Sequence, residues 1–172
     1  IAKLVDAHMA AWREERELRI AFEKRTSTAA FDIEVIEFED DGELLGHVGL
    51  TVSAVRVEHA PIPHAFGFVF EANGRKAVLS GDTKRCEALI AAAKGADVIV
   101  HEVFDHGRDP VPRGTQSAES MAQVASYHTL STEVGEIAKE AGAGALILTH
   151  LVPPSADPAR LIQHARAGFD GF

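Results

Sequence analysis

The pattern of apolar and polar residues predicts a helix at the start of the chain. Residues 2–24 are rich in Ala, Leu, Glu, Arg and Lys and contain no Gly or Pro, as expected of a helix interior. Leu4, His8 and Trp12 recur at intervals of four, which places them on one side of such a helix. We therefore predict one helix over residues 2–24, with its apolar side covering a sheet.

Alternation of apolar and polar residues then predicts a group of strands joined by turns. The segments with this period of two are residues 32–38, 50–59, 65–71 and 75–81. The dipeptide Asn73-Gly74 predicts a tight hairpin between the last two of these strands. Residues 40–49 are rich in Gly and acidic residues, and we predict a turn there.

Helical and strand patterns alternate in the second half of the chain. Predicted helices cover residues 83–95, 115–128, 131–142 and 157–169, and predicted strands cover 96–102 and 144–150. A loop with Pro110 and Pro112 precedes the second of these helices. Thr129 or Ser131 is the predicted cap of the third helix, which Gly142 ends, and Pro158 lies in the first turn of the fourth. We predict a layered α/β (α+β) protein with a single domain over residues 1–172.

Composition and charge narrow the class of protein only moderately. The chain has 172 residues, of which 46% are hydrophobic and 25% charged, as is ordinary for a globular domain. The net charge of −9 argues against a broad basic face for nucleic acid, although a local basic patch is compatible with it. No apolar run reaches the roughly 20 residues of a membrane span, so no membrane partner is predicted. Cys86 is the single cysteine, which predicts a reducing compartment, taken as the cytoplasm.

Ionisable side chains end four of the predicted strands. The predicted strands SAVRVEH, KAVLSGD and GALILTH end at His59, Asp82 and His150, and His101-Glu102 end the strand at 96–102. His and Asp side chains at rigid strand ends are good ligands for zinc or a similar divalent metal. For Asp82 a second interpretation stays open, because Asp after Gly is also a common helix N-cap.

Four stretches carry a resemblance to a known family. They read VEHAPIPHAFGFVFEANGRKAVLSGDT, GADVIVHEVF, YHTLSTEVGEIAKEAG and LILTHLVPP, and in this order they cover most of residues 50–154. The chain resembles the C-terminal part of metallo-β-lactamase-fold hydrolases, in the branch of ribonuclease Z and arylsulfatase-like enzymes. The resemblance implies an αββα sandwich whose N-terminal portion is absent from residues 1–172.

The resemblance also implies roles for five residues. His59, Asp82 and His150 match metal ligands, with Asp82 bridging two divalent ions, taken as Zn with Mn or Fe as alternatives. Two such ions can activate a water and offset charge on an attacked phosphoryl centre. His128 matches a histidine that protonates the leaving oxygen or binds phosphate, and Glu102 matches the carboxylate that orients it. Thr83 is expected only to begin the helix behind this site.

The remaining histidines are predicted to have no chemical role. His64 lies five positions after His59, but the spacing to the following Ala-Phe-Gly favours His59 as the ligand. His101 is expected to be a packing residue or to support the site indirectly. The others, in helix or turn contexts without an evident partner, are His8, His47, His106 and His164.

One motif of the family is missing from the sequence. His-x-His-x-Asp-His, which supplies most of one metal site, does not occur in residues 1–172, and the first residue is Ile1. We therefore expect a fragment of a longer protein that is inactive by itself; a degenerate relative is the alternative. A half sandwich exposes an apolar face, which predicts a homodimer.

Three functions follow from these observations. The first is a metal-dependent phosphodiesterase resembling ribonuclease Z, with an RNA substrate. The acidic balance, and the lack of a basic arm before His59, leave a small-molecule ester open as substrate, as in an arylsulfatase- or lactonase-like hydrolase. The third is a non-catalytic binding module that has lost its metal site.

Overall fold

The computed structural model describes residues 1–107 and 117–172 of the chain. These residues divide into two compact units, Ile1–Glu39 and Asp40–Phe172. The predicted loop with Pro110 and Pro112, and the first two residues of the predicted helix 115–128, lie outside the described residues.

The first unit contains two short helices instead of the one that the sequence predicts. Helix α1 spans Ala2–Ala11 and helix α2 spans Arg13–Phe22. They are separated at Trp12, whose φ of −95° and ψ of 5° end the first helical run. A 3₁₀ helix, Ala29–Phe31, follows. The prediction missed the break because residues on both sides of Trp12 are good helix formers.

The strand predicted at residues 32–38 is wrong. These residues have no regular secondary structure. Glu37 instead accepts hydrogen bonds from the amino terminus of Ile1 at 2.7 Å and from the backbone of Ala2 at 3.2 Å. Alternation alone does not make a strand, because a strand also requires a neighbour with which to pair.

The second unit is built on a six-stranded sheet of described residues. Its strands are β1 Gly42–His47, β2 Leu50–Arg56, β3 Phe66–Ala72, β4 Arg75–Leu79, β5 Val98–Phe104 and β6 Ala145–Val152. The order in the sheet follows the order in the chain. Pairs from β1 to β4 are antiparallel, and β4, β5 and β6 are parallel neighbours.

Two turns of the sheet show where the sequence was informative. Asn73 and Gly74 both have positive φ, 52° and 72°, which confirms the predicted hairpin between β3 and β4. The turn predicted over residues 40–49 is wrong in extent, since β1 occupies most of this segment. Only its end makes the turn, with Gly49 at a φ of 81°.

Four helices complete the second unit. They are α3 Glu87–Ala92, α4 Ala118–Ala125, α5 Val134–Ala141 and α6 Pro158–Gly168. Gly142 ends α5 in the left-handed conformation, and Pro158 lies in the first turn of α6, both as predicted. The predicted cap of α5 is wrong, because Glu133 precedes the helix and the side chains of Thr129 and Ser131 bond elsewhere.

One face of the sheet carries the main core. Val69, Val78 and Ile99 are paired in register across β3, β4 and β5, and they pack with Leu89 of α3 and Ala141 of α5. Leu89 and Ile99 are each 1% exposed, so truncating either to Ala should cost about 2–5 kcal/mol. A smaller cluster joins β5, α5 and α6 through Val103, Val134, Ala156, Leu161 and Ala165.

The opposite face of the sheet is more open. Leu79, Val100 and Ile147 are paired in register there, and Leu79 and Ile147 are 38% and 53% exposed.

The mixed α/β architecture agrees with the predicted fold class. None of the helices in the described part of the chain is long and apolar enough to cross a bilayer.

Candidate functional site

Asp82 is presented by a turn at the end of β4. Gly81 has a φ of 61°, and a Cβ at this position would collide with the carbonyl oxygen of Phe66. Only glycine therefore fits this turn. Helix α3 begins at Glu87 with Cys86 as its N-cap residue. The helix-cap interpretation of Asp82 is thus wrong, and so is the expectation that Thr83 begins the helix.

His150 lies at an irregularity within β6. Glu102 of β5 pairs with Thr149 and Val103 pairs with Leu151, so that His150 is an extra residue between them. Its φ of 41° is unusual for a residue with a side chain. Such a bulge re-aims a side chain without ending the strand.

Asp82, in the turn after β4, and His150, at the bulge in β6, lie close together. Nε2 of His150 lies 3.3 Å from Oδ2 of Asp82, and their side chains are 50% and 43% exposed. Both groups are therefore accessible from solvent, and both are of the type that binds zinc.

The imidazole rings of His128 and His59 lie close to this pair. The ring centroid of His128 is 5.6 Å from that of His150 and 5.0 Å from that of His59. The ring of Tyr127 packs on the same group, 4.9 Å from His59 and 4.9 Å from His128. The structure thus brings four of the five predicted site residues into one continuous cluster, and Glu102 contacts the same cluster through His128.

A hydrogen bond determines which nitrogen of His59 is available. Nδ1 lies 3.1 Å from the carbonyl oxygen of Tyr127. Because a carbonyl oxygen only accepts, Nδ1 carries a proton, and in the neutral ring Nε2 is then the nitrogen with the lone pair. Histidines that bind metals commonly donate their second nitrogen to a backbone carbonyl in this way.

Glu102 is the buried centre of the hydrogen-bond network behind His128. Its Oε1 accepts from Nδ1 of His128 at 2.8 Å and from the backbone N–H groups of Thr83 at 2.9 Å and Thr129 at 3.2 Å. The side chains of Glu102 and His128 are 1% and 6% exposed. Since Nδ1 donates to Glu102, Nε2 is the nitrogen of His128 that can act on another group.

Further bonds hold the segments around Glu102 together. Thr129 donates from Oγ1 to the carbonyl oxygen of Thr83 at 2.8 Å, which joins the loop before α5 to the turn after β4. Ser80 accepts the backbone N–H of Glu102 at 3.0 Å. Thr83, Thr129, Ser80 and Glu102 are all fully buried. The roles of Ser80 and Thr129 could not be predicted from sequence, because the contacts join segments that are distant in the chain.

Ser131 and His164 form a second contact that the sequence analysis missed. Oγ of Ser131 lies 2.8 Å from Nδ1 of His164 on α6, and it accepts the backbone N–H of His106 at 3.1 Å. The interpretation of His164 as a surface residue without a partner is therefore wrong. The pair attaches the loop that carries His128 to α6.

The other histidines divide into one buried residue and four exposed ones. His101 is fully buried, and its Nδ1 donates to the carbonyl oxygen of Glu102 at 2.8 Å. Burial lowers the pKa of His101, which keeps its ring neutral. His64, His8, His47 and His106 have exposed side chains.

The donor atoms fit part of a divalent metal site. The described ranges, 1–107 and 117–172, contain no group of three or more His, Cys, Asp or Glu side chains arranged around one metal position. Asp82 and His150 supply one carboxylate and one imidazole, and Nε2 of His59 is directed by its bond to Tyr127. Zinc sites commonly have four ligands, so a complete centre needs further donors besides these.

Comparisons with known proteins give a consistent set of matches. Residues 2–151 match the family model described as Beta-lactamase superfamily domain. A protein named ribonuclease Z from Mycobacterium sp. (strain KMS) is 35% identical over 166 residues, which are 96% of this chain and 56% of that protein. Another protein of this name, from a Mycobacterium bovis BCG strain, is 33% identical over 152 residues. These residues are 88% of this chain and 52% of that protein.

A solved structure agrees with these sequence matches. The metallo-beta-lactamase fold protein YhfI from Bacillus subtilis superposes with a TM-score of 0.64 at 27% identity. The superposition covers 88% of this chain and 55% of that protein. The chain spans about half the length of the curated relatives that it matches.

Proposed function

The chain belongs to the beta-lactamase superfamily and has the metallo-β-lactamase fold, and from this membership we propose that the whole protein is a metal-dependent hydrolase of phosphodiesters. Residues 1–172 would be the C-terminal part of its catalytic domain. The observation that carries the proposal is the buried Glu102–His128 pair beside the exposed Asp82–His150 pair. The ribonuclease Z name of the relatives supports a phosphodiester as the substrate.

His59, Asp82 and His150 are the residues that would hold the metal ions. Zinc is the first candidate because two imidazoles and a carboxylate suit it, and manganese or iron are the alternatives. When bound, a pair of divalent ions would supply Lewis acidity and offset the charge of the attacked phosphoryl group. The openness of Asp82 and His150 leaves room for a substrate phosphate beside them.

His128 would act as the general acid, and Glu102 would position it. The bond from Nδ1 to Glu102 leaves Nε2 of His128 to act on another group, and the His128 ring lies 5.0 Å from that of His59 and 5.6 Å from that of His150, measured between centroids. A proton on Nε2 could then be given to the leaving oxygen as the phosphodiester bond breaks. Glu102 acts only through His128, so it is a positioning residue in this proposal.

RNA is the proposed substrate class, and a small-molecule ester is the second candidate. The net charge of −9 favours the second, because a polyanion would need a basic surface. We also infer a cytoplasmic location from the single, buried Cys86. A homodimer is inferred from the partly exposed apolar face around Leu79 and Ile147.

Metal content and turnover in the full-length protein test the proposal together. We expect about two zinc ions per chain, as in two-metal hydrolases, and cleavage of bis(p-nitrophenyl) phosphate. Asp82→Ala should lose most of the metal and the activity, whereas Asp170→Ala, an exposed carboxylate in the C-terminal tail, should lose neither. If the wild-type protein binds no metal even when it is prepared with an excess of metal, the proposal is contradicted and the non-catalytic binding module is favoured.

A further inference from the structure

A groove of about 390 Å³ lies directly beside His59. Pro61 and Ile62 line one part of it and Tyr127 lines another, so that its walls are largely apolar. Ile62 is 52% exposed, so its side chain is accessible to a ligand in this groove. The groove is thus an accessible apolar surface that starts at a proposed metal ligand.

The rim of the same groove is charged. Nζ of Lys84 lies 2.9 Å from Oε2 of Glu58, and both residues line the groove. Their side chains are 50% and 57% exposed. The ion pair therefore offers a hydrogen-bond donor and an acceptor next to the apolar walls, at no cost of burying either charge.

Tyr127 connects the groove to the site. Its ring contacts both His59 and His128, and its carbonyl oxygen fixes the His59 ring. A group bonded to a phosphate that is held at these histidines would thus lie next to the aromatic wall. Aromatic and apolar walls of this kind stack on flat rings.

We propose that this groove is a subsite for a nucleobase attached to the scissile phosphodiester, stacked against Tyr127 and Ile62 and contacted at its edge by Lys84 and Glu58. The proposal rests on the proposed function, because it takes the histidine cluster as the position of the phosphate. A nucleobase combines a flat apolar face with a polar edge, and this matches the two kinds of surface in the groove. A plain hydrocarbon ring would form no hydrogen bond with the Lys84–Glu58 ion pair.

Binding of two ligands that differ only in the base provides the test. We would titrate the zinc-loaded, full-length protein with thymidine 5′-monophosphate and with 2-deoxyribose 5-phosphate, using calorimetry. The nucleotide should bind about tenfold more tightly, as expected for one base stacked on an aromatic side chain. Tyr127→Ala and Ile62→Ala should each reduce this ratio, whereas Tyr127→Phe should keep it.

Ile162→Ala is the matched control. Ile162 on α6 is 53% exposed, nearly the same as Ile62, but it does not line the groove. The control should leave the affinity ratio at its original value. Equal affinity of the wild-type protein for the two ligands would overturn the proposal, and so would failure of both to bind or a ratio that Ile62→Ala leaves unchanged.

Hydrolysis of thymidine 5′-(p-nitrophenyl phosphate) separates this proposal from the proposed function. If the ester is not cleaved but the affinity ratio is present and sensitive to Ile62→Ala, the subsite stands and the phosphodiesterase proposal fails. If the ester is cleaved but the ratio is close to one, the phosphodiesterase proposal stands and the subsite is wrong.

Discussion

The two parts of the candidate site differ in how far the chain itself completes them. Glu102 and His128 are almost wholly buried, and Oε1 of Glu102 accepts three hydrogen bonds. Asp82 and His150 are about half exposed, and their contact is a single one of 3.3 Å. A buried polar group must find its partners when the protein folds, whereas an exposed one has water as a partner. The buried pair is therefore preorganised by folding, and the exposed pair stays available for a ligand.

Replacing His128 should have the largest effect on activity while leaving the exposed pair intact. We expect His128→Ala to lower kcat by about 10²–10⁴-fold, the usual contribution of a general acid. Metal content should stay near the wild-type value, because His128 is not among the proposed ligands. Turnover and elemental analysis on one preparation measure both quantities. Loss of metal together with activity would show that the two parts are not separable.

Removing the carboxylate of the buried pair should lower the unfolding free energy much more than removing that of the exposed pair. Glu102→Ala leaves His128 and the backbone N–H groups of Thr83 and Thr129 without their acceptor, so we expect the unfolding free energy to fall by about 3–5 kcal/mol. Asp82→Ala, the matched control, removes a half-exposed carboxylate and should change it by less than about 0.5 kcal/mol. Urea denaturation of the metal-free proteins measures both, and equal losses would contradict the comparison.

The attachment of the His128 loop to α6 should have a smaller effect. Ser131→Ala removes the bond to His164 and the acceptor for the His106 N–H, at a cost of about 1–2 kcal/mol in unfolding free energy. Ser126→Ala, which removes an exposed hydrogen bond to Gln123, should cost less than about 0.5 kcal/mol. If the two variants unfold at the same urea concentration, the contact with α6 does not support the loop.

The buried residue His101 should make the folding stability depend on pH in the acidic range. Because burial lowers the pKa of His101, the unfolded chain binds a proton at this residue more readily than the folded one. Folding stability should therefore be unaffected above the unfolded pKa of about 6.5 and fall as the pH drops below it, by at most about 1.4 kcal/mol per pH unit. His101→Leu should flatten this dependence between pH 7 and pH 5.5 in urea titrations. An unchanged slope would assign the effect to other groups.

Strand-end chemistry was visible in the sequence because it is local. Asp82, Glu102 and His150 lie at or near the ends of apolar runs in the sequence, and strands hold such residues in definite positions. Only Asp82 follows the end of its strand, whereas Glu102 and His150 lie within β5 and β6, which continue beyond the predicted ends. Their roles came from the family resemblance. Neither source could show that Asp82 is separated from α3 by four residues, since the start of a short helix depends on packing.

Contacts between distant segments could not be predicted. Ser131 and His164 are 33 positions apart, and their bond exists only because α6 packs beside the loop before α5. The strand wrongly predicted at residues 32–38 had the right alternation but not the neighbouring strand that the pattern requires. The break at Trp12 has no Gly or Pro to announce it.

The bulge at His150 implies a conflict between use and regularity in β6. Without this one residue, β5 and β6 could pair without interruption, and its backbone conformation is one that glycine adopts more easily. For the stability of the sheet alone, deleting this histidine or exchanging it for glycine would therefore be favourable. The sheet thus bears a local backbone strain at the residue whose imidazole contacts Asp82.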